Sequence, residues 1–410
     1  MTISQLSMCP IYRQKPYKPS MPSRPRCTKN TPKPNISPMP SALIACDKFK
    51  GSISAEQACA AIQRGLGADW DVDFCPIADG GEGFVAAMIA ALRGSLHQAP
   101  CHDALGRSIF ADYGLITTAG KSTVVMEMSA ASGMWRLRDE ERNPALASTF
   151  GTGEIMRHAI EKHQPEKIII GIGGSATNDA GAGMAAALGV EFLDHAGHLL
   201  SPTPESLRQL ARIGTSARMT LPEILAACDV DNPLCGKRGA SAIYGPQKGA
   251  STEDVLWLDA LLQRIAQLSN GNDHALTPGA GAAGGLGFGL LHFCDAQLIP
   301  GFEMVADAID VRSRVKSADL VITGEGSLDA QSLSGKGPIG IAKLAQRAGK
   351  PCIAVAGHIS AEVIDAAIFF DHCAISSLGH PLAVSMSRAA EFLEQLVRAK
   401  SDVWRKMIAL

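Results

Sequence analysis

Long apolar runs are missing from this 410-residue chain, and aromatic residues make up only 5% of it. No apolar stretch approaches the ~18 residues that a transmembrane helix needs, so we expect no membrane role. With few aromatic side chains, the chain has little means of stacking nucleic-acid bases. Its net charge of −2 would not attract a polyanionic backbone either, so we expect no nucleic-acid partner.

Paired cysteine motifs are also missing. The eleven cysteines are scattered, with no Cys-x-x-Cys pair among them. Several lie inside apolar, strand-like runs, for example Cys46, Cys228 and Cys352. Reduced proteins use cysteine in this way, as a small apolar residue, and the sequence therefore predicts a cytoplasmic protein.

Acidic residues are absent from the first 40 positions, which hold seven Lys or Arg and nine Pro. Without those seven, the rest of the chain carries 31 basic and 40 acidic residues, a net charge of −9. The segment has no apolar region of the kind that a secretory signal needs. We predict that residues 1–40 form a disordered, basic, proline-rich leader, an extension upstream of a start at Met39.

Short apolar runs alternate with segments of helical periodicity from residue 42 onward. Such alternation predicts an α/β protein with a mainly parallel sheet. The predicted strands are Ala42–Cys46, Val72–Cys75, Thr123–Met128, Lys167–Ile170, Ile224–Cys228, Asp319–Thr323 and Cys352–Ala356. The predicted helices are one that Ser54 caps, with Gln57 in the capping-box position, and those at 153–163, 251–267, 337–348 and 387–408.

The alternation is cleaner in some parts of the chain than in others. It is regular in 41–75 and 286–410, whereas 76–285 holds most of the Gly-rich turns. A chain of this length is expected to form two or three domains. We therefore predict two α/β domains, with 76–285 inserted into a domain that 41–75 and 286–410 form together.

Acidic residues and glycines collect directly after five of the predicted strands. The segments are Asp47–Gly51, Asp79–Gly83, Gly171–Asp179, Asp229–Pro233 and Gly324–Gly326, the last followed by Asp329 and Lys336. In open α/β sheets, ligands bind beyond the carboxyl ends of the strands. Glycines let backbone N–H groups approach phosphate, carboxylates hold Mg²⁺ or accept a proton, and lysines neutralise phosphate. The five segments together predict a site for a polyanion and a metal.

Two of these segments are related in composition to known nucleotide-binding motifs. The segment Gly326–Lys336 has the wrong spacing for a Walker A loop. The segment Gly171–Ala176 does match a dinucleotide-binding fingerprint, and Glu191 lies 20 residues beyond its start. The charge of Asp179 would repel a pyrophosphate there. Because the fingerprint matches, an NAD-dependent sugar-acid dehydrogenase that uses the Gly171 loop nevertheless stays open as an alternative.

A second Gly-rich run, Gly279–Gly287, contains five glycines in nine residues. The run is compatible with a phosphate-binding loop, because glycines allow close approach of the backbone. It is equally compatible with a tightly packed helix start, and the sequence leaves both interpretations open.

Seven ordered motifs in residues 41–380 resemble those of the bacterial glycerate kinase family. They are Asp47-Lys-Phe-Lys-Gly-Ser, Pro76-Ile-Ala-Asp-Gly-Gly-Glu-Gly, Gly171-Ile-Gly-Gly-Ser-Ala-Thr-Asn-Asp, Ala227-Cys-Asp-Val-Asp-Asn-Pro-Leu, Tyr244-Gly-Pro-Gln-Lys-Gly-Ala, Gly279-Ala-Gly-Ala-Ala-Gly-Gly-Leu-Gly and Ile322-Thr-Gly-Glu-Gly. The resemblance implies an ATP- and Mg²⁺-dependent kinase that phosphorylates D-glycerate, most simply at the 2-hydroxyl. It also implies two α/β domains, a Rossmann-like parallel-sheet domain and an inserted one, with the active site between them.

Within this resemblance, the residues at the strand ends receive hypothetical roles. Three are predicted to be catalytic: Lys50 neutralises the transferring phosphoryl group, Asp179 is the base, and Asp229 is a candidate ligand of the metal or the substrate. Phosphate or substrate binding is expected of Asp47, Gly173, Gly174, Ser175, Lys248, Glu325, Asp329 and Lys336. The predicted metal ligands are Asp79 and Glu82.

Two positions depart from the family pattern. Lys48 stands where the family usually has Ser, and Ser327 stands where it usually has Arg. If that Arg contacts phosphate or carboxylate, Ser327 weakens the contact or Lys336 replaces it. A non-catalytic ligand sensor on the same fold stays a second alternative, although a mere binder has little use for so many acids. The oligomeric state is left open, a homo-oligomer included.

Overall fold

The computed structural model describes residues 39–77, 81, 83–330, 332–334 and 337–408. The strands are β1 (Ser41–Cys46), β2 (Asp71–Phe74), β3 (Ser95–His102), β4 (Ser108–Thr118), β5 (Lys121–Glu127), β6 (Lys167–Gly171), β7 (Glu191–Leu193), β8 (Arg212–Gly214), β9 (Glu223–Ala227), β10 (Gln297–Ile299), β11 (Leu320–Gly324), β12 (Ser327–Leu328), β13 (Cys352–Ala356), β14 (His358–Ile359) and β15 (Asp371–Ala374).

The α-helices connect these strands and cover the sheets. They are α1 (Ala55–Leu66), α2 (Phe84–Leu92), α3 (Ser129–Ser132), α4 (Phe150–His163), α5 (Ala182–Ala187), α6 (Pro204–Leu207), α7 (Ala240–Tyr244), α8 (Thr252–Leu268), α9 (Asn272–Leu276), α10 (Ala282–Cys294), α11 (Gly301–Ala308), α12 (Val311–Ser317), α13 (Gly337–Arg347), α14 (Ala361–Asp365), α15 (Leu382–Ser387) and α16 (Ala389–Ile408). Among the described residues, no helix is both long and apolar enough to cross a bilayer.

Two large sheets organise the fold, and the predicted α/β class is confirmed. The first sheet has the strand order β15-β13-β11-β1-β2, and all of its pairs are parallel. The second sheet has the order β10-β9-β6-β5-β4-β3, parallel from β10 to β5 and antiparallel from β5 to β3. The division into domains at 75/76 and 285/286 stays a prediction, and the pairing of β10 with β9 would move its second boundary to about residue 300.

Side-chain alternation along the strands separates three layers of core. In β1, Ala42 and Ile44 face one cluster with α1 and α16, whereas Leu43 and Ala45 face another. That second cluster also takes in Val125 from β5, so it fills the space between the two sheets. A third cluster covers the far face of the second sheet. The period-2 geometry of a strand explains how one run of apolar residues serves two cores.

The predicted cap of the first helix is confirmed. Ser54 Oγ accepts the backbone N–H of Gln57 at 3.2 Å, and the Gln57 side chain accepts the N–H of Ser54 at 3.0 Å. Such caps contribute about 1 kcal/mol each. Because α1 begins at this fixed point, the eight residues between β1 and α1 form a defined loop at the carboxyl end of the first sheet.

Candidate functional site

Two cavities meet at the loop that follows β1. The second-sheet cleft, of about 350 Å³, lies at the carboxyl ends of β6 and β9 and is lined by residues 172–175, 227–230, Tyr244, Gln247, Lys248, Ala282 and Ala283. The first-sheet cavity, of about 670 Å³, is lined by residues 47–50, Ser52, 325–327, Gly357, His358, Ile375, Ser376, His380, Leu382, Ser385, Met386 and Ala389. Lys48 and Lys50 line both, so the two cavities share a positively charged boundary.

Burial alternates along the loop after β1, and this alternation orients the two lysines. Phe49 is buried and forms an isolated bridge with Ile53, while Lys50 is exposed and Lys48 is half-buried. Asp47 is 7% exposed, and its carboxylate accepts the backbone N–H of Lys48 at 2.6 Å. Burial of Phe49 thus anchors a short segment whose flanking lysines point away from the core.

The Gly-rich loop after β6 forms one wall of the second-sheet cleft. Gly174 has a φ of +77°, a backbone conformation that glycine adopts at no cost. Its carbonyl accepts the N–H of Met134 at 2.9 Å, and the adjacent Ser175 bridges to Gly133. The loop is therefore held against another segment, and Gly173, Gly174 and Ser175 all line the cleft, as their predicted binding role requires.

Lys248 is buried in the same wall. Its Nζ donates to Ser175 Oγ at 2.7 Å and to the carbonyl O of Thr177 at 2.6 Å. Only 1% of the residue is exposed, and this desolvation lowers the pKa of Lys248 to about 7, against an opposing attraction from Asp179. The side chain is placed in the cleft as predicted, but it is no ordinary surface cation.

Asp179 does not reach either cavity, which argues against its predicted role as the base. It is fully buried, and its carboxylate accepts the backbone N–H and the hydroxyl of Thr149, each at 2.8 Å. It also accepts the N–H groups of Gly181 and Gly183 at 3.1 and 3.2 Å. Burial raises the pKa of Asp179, and these hydrogen bonds oppose the shift. The carboxylate ties α4 to the start of α5, and a base must instead reach the proton that it removes.

Asp229, unlike Asp179, lines the second-sheet cleft. It follows β9, and its Oδ1 accepts the N–H of Gly301 at the start of α11 at 2.8 Å. The structure thus brings Asp229 together with Lys50, Ser175 and Lys248. Its catalytic role stays a prediction.

The two acids after β11 both bond to Ser332, but only one of them lines a cavity. Glu325 lines the first-sheet cavity, and its Oε1 accepts the hydroxyl of Ser332 at 2.9 Å. Asp329 lines neither cavity, and its Oδ1 accepts the N–H of Ser332 at 3.3 Å, as in a turn. The predicted metal ligands Asp79 and Glu82, together with Lys336, lie outside the described residues.

The structure contradicts the dinucleotide-binding interpretation of the Gly171 loop. That fingerprint needs a helix that opens directly on the glycines, so that its N-terminus meets the pyrophosphate. Here β6 ends at Gly171, the loop turns into the bridge at Ser175, and α5 begins only at Ala182. The NAD-dependent dehydrogenase alternative loses the feature on which it depends.

The run Gly279–Gly287 packs tightly around the start of α10. A Cβ at Gly284 would lie 1.9 Å from the carbonyl O of Thr177, and a Cβ at Gly285 would lie 2.8 Å from Ala180 Cα. Both glycines have positive φ. Of the two interpretations left open, close packing explains these glycines, while the neighbouring Ala282 and Ala283 line the cleft.

Sequence reasoning missed Glu127, the last residue of β5. Its Oε1 accepts the N–H groups of Gly83 and Val85, at 3.1 and 2.9 Å, at the start of α2. Burial raises the pKa of Glu127, against these bonds and the attraction of Lys48. The sequence could have indicated Glu127, because it is one more acid at the end of a strand. No sequence motif includes His358 or His380, which line the first-sheet cavity.

The carboxylates present are compatible with a magnesium ion that nucleotide phosphates help to hold. Within the described residues, no group of three or more His, Cys, Asp or Glu side chains could hold a metal by itself. Mg²⁺ usually takes only one or two protein carboxylates and completes its shell with phosphate and water. Asp47 and Glu325 line one cavity beside Lys48 and Lys50. The two carboxylates are a donor set of this kind.

Comparisons with known proteins agree on one family. The model of the glycerate kinase family matches residues 42–405. The glycerate kinase of Bacillus subtilis is 42% identical over 87% of this chain and 95% of its own length. The glycerate 2-kinase of Escherichia coli is 43% identical over 78% of this chain and 86% of its own.

A solved structure extends the agreement to the fold. The crystal structure of a Salmonella typhimurium protein, named provisionally as glycerate kinase 2, is 39% identical and superposes with a TM-score of 0.77. The superposition covers 90% of this chain and all of that one. With matching motifs, fold and length, the chain belongs to the glycerate kinase family and is an enzyme of the phosphotransferase class.

Proposed function

We propose that this enzyme transfers the γ-phosphoryl group of ATP to the 2-hydroxyl of D-glycerate, with Mg²⁺ as the assisting ion. The observation that carries the proposal is the pair of cavities with a shared lysine boundary. A kinase needs two binding places whose contents meet at the transferring phosphoryl group, with positive charge at that point. Lys48 and Lys50 supply that charge.

The first-sheet cavity suits the nucleotide. Phe49, Ile375, Leu382 and Met386 provide apolar wall for a purine ring, as small-molecule sites usually do. His358, His380 and several Ser side chains supply polar groups around it. In this placement the phosphates extend toward Lys48 and Lys50, and Mg²⁺, when bound, would neutralise phosphate charge beside Asp47 and Glu325.

The second-sheet cleft suits a small hydroxy acid. Its volume of about 350 Å³ is at the low end of ligand pockets, as a three-carbon acid requires. Lys50 and the Gly173–Ser175 loop, which line the cleft, favour a carboxylate or a phosphoryl oxygen, and Asp229 accepts hydroxyl donors. The acceptor hydroxyl then faces the lysine boundary.

Phosphorus NMR of the reaction product tests the proposal. Purified enzyme with ATP, Mg²⁺ and D-glycerate should give ADP and a phosphate ester whose phosphorus signal is split into a doublet by the single hydrogen on C2. A triplet would show transfer to the 3-hydroxyl and correct the position. No glycerate-dependent ADP would contradict the function itself, and omission of Mg²⁺ tests the ion separately.

A further inference from the structure

Ser175 and Lys248 form a hydroxyl–amine pair in the wall of the second-sheet cleft, although 73 residues separate them in sequence. Their Oγ and Nζ atoms lie 2.7 Å apart, and only 6% and 1% of the two residues is exposed. An amine at this distance from a hydroxyl can take its proton and so activate the oxygen. The pair is therefore placed to handle protons at the edge of the cleft.

Close backbone packing fixes both partners. A Cβ at Gly249, next to Lys248, would lie 2.3 Å from the carbonyl O of Arg142. The Thr177 carbonyl, which accepts the second hydrogen bond from Nζ, is itself covered so closely by Gly284 that a Cβ there would lie 1.9 Å away. Neither anchor of the lysine can shift without displacing backbone, so the pair is preorganised.

Burial favours the neutral amine. Desolvation lowers the pKa of Lys248 to about 7, although the Asp179 carboxylate nearby acts in the opposite direction. Four hydrogen bonds from Thr149, Gly181 and Gly183 hold that carboxylate in place. The other charged or titratable groups that line the cleft are Lys48, Lys50, Cys228, Asp229 and Tyr244.

The 2.7 Å distance between Ser175 Oγ and Lys248 Nζ permits a hydrogen bond in either direction. A charged Lys248 donates to Ser175 Oγ, whereas a neutral Lys248 offers a lone pair to which the Ser175 hydroxyl donates. In both states another N–H of the amine can donate to Thr177 O. The contact geometry therefore accommodates the amine before and after it gains a proton.

We propose that Ser175 and Lys248 together accept the proton of the attacking hydroxyl, an inference that rests on the proposed phosphoryl transfer. As the substrate oxygen bonds to the γ-phosphorus, its proton passes to Ser175 Oγ, and the Ser175 hydroxyl proton passes to the Nζ lone pair. The bond from the γ-phosphorus to the bridging oxygen breaks, and ADP leaves with that electron pair. Lys248 ends the step as an ammonium and returns the proton to solvent.

Kinetics of Lys248→Arg across pH test the proton transfer. The guanidinium stays charged and cannot accept a proton, so kcat at pH 8 should fall roughly 100-fold or more, the usual scale for loss of a base. The ratio of wild-type to variant kcat/KM should rise tenfold per pH unit up to about pH 7 and then level off. A ratio that does not vary with pH would overturn the proposal, because titrations of ATP and other groups cancel in it.

Two further variants separate a proton relay from a structural role. Ser175→Ala should lower kcat by a similar factor, and the double variant should lose little more than the worse single one, since the residues act as a unit. Losses that multiply would contradict the pair. Lys167→Met is the matched control: Lys167 lies on β6, pairs with Glu223 at 3.1 Å on the surface, and should leave kcat unchanged.

A spectroscopic titration tests the amine without any substrate. In protein with ¹³C-labelled lysine, one Cε signal should titrate near pH 7 and be absent from the Lys248→Arg spectrum, or from Lys248→Gln if the arginine variant does not fold. A Lys248 signal that titrates near pH 10 would overturn the inference even if glycerate is phosphorylated. If the signal titrates near 7 and glycerate is not phosphorylated, the proposed function fails and the amine chemistry stands.

Discussion

The second-sheet cleft has an exposed lysine on one side and a buried lysine on the other. On the side of the first sheet, Lys50 is exposed within the eight-residue connection between β1 and α1 and also borders the first-sheet cavity. On the side of the second sheet, Lys248 is 1% exposed and bonded to Ser175 and Thr177. Burial fixes the position of a lysine and lowers its pKa by removing water from the charged form, whereas an exposed lysine stays solvated. The same residue type thus serves two different tasks in one site.

Loss of Lys50 should produce the largest effect on activity without any effect on stability. We expect Lys50→Met to cost about 3–4 kcal/mol of transition-state stabilisation, as loss of an electrostatic stabiliser does, which is roughly a 10²–10³-fold fall in kcat/KM. Because the side chain is exposed, Tm should barely move. Lys50→Arg should rescue only in part, since a planar fork replaces a point charge. Steady-state kinetics compare the kcat/KM of Lys50→Met with that of Lys48→Met. Small, equal losses of kcat/KM in the two variants would show that Lys50 has no role in the mechanism.

Loss of the Asp179 carboxylate should produce the reverse pattern. Asp179→Asn places an amide where four donors converge, and leaving buried donors without partners costs about 1–3 kcal/mol or more. We expect denaturant unfolding to show a loss of about 3 kcal/mol, with kcat within a few-fold of normal. A stable variant whose kcat falls 100-fold would instead restore Asp179 as the base.

The pKa of Lys248 predicts a pH dependence of stability. Its folded pKa, about 7, lies below the ordinary value of 10.5, so between these values the unfolded chain binds a proton that the folded protein does not. The stability that Lys248 contributes is therefore full above pH ~10.5 and is lost as pH falls toward 7. Relative to Lys248→Met, the wild-type free energy of unfolding should rise by roughly 1 kcal/mol per pH unit across that window. A constant difference would show that Lys248 is charged in the folded protein.

The smallest effect is expected at Ser327, which borders the first-sheet cavity and replaces the family's usual Arg. Ser327 is exposed, so an added guanidinium has room and gains at most about 1 kcal/mol from a solvated phosphate. We expect Ser327→Arg to lower the KM for ATP a few-fold at unchanged kcat. An effect on the KM for glycerate instead would place the acid on the first-sheet side.

Most of the parallel core could be predicted from the sequence, because continuous apolar runs between Gly-rich turns have few alternatives. The strand predicted at 352–356 coincides with β13, and that predicted at 42–46 lacks only Ser41. The hairpin of β3 and β4 was not predicted. Its first strand contains Pro100 and only two buried residues, and cross-strand pairing with β4 holds it instead.

The candidate site was predictable only in its outline. Acids and glycines at strand ends mark the cleft, because parallel strands bring their carboxyl ends together. Which acid faces the cavity depends on contacts across the chain: Thr149, 30 residues before Asp179, turns that carboxylate inward. The Ser175–Lys248 pair spans 73 residues, and no local pattern announces it.

A crystal structure with a non-hydrolysable ATP analogue and D-glycerate tests the division between the two cavities most directly. The account predicts the purine against Leu382 and Met386, the phosphates at Lys48 and Lys50, and the acid beside Ser175 and Asp229 with its 2-hydroxyl toward the γ-phosphate. A purine in the second-sheet cleft, or glycerate in the first-sheet cavity, would contradict it.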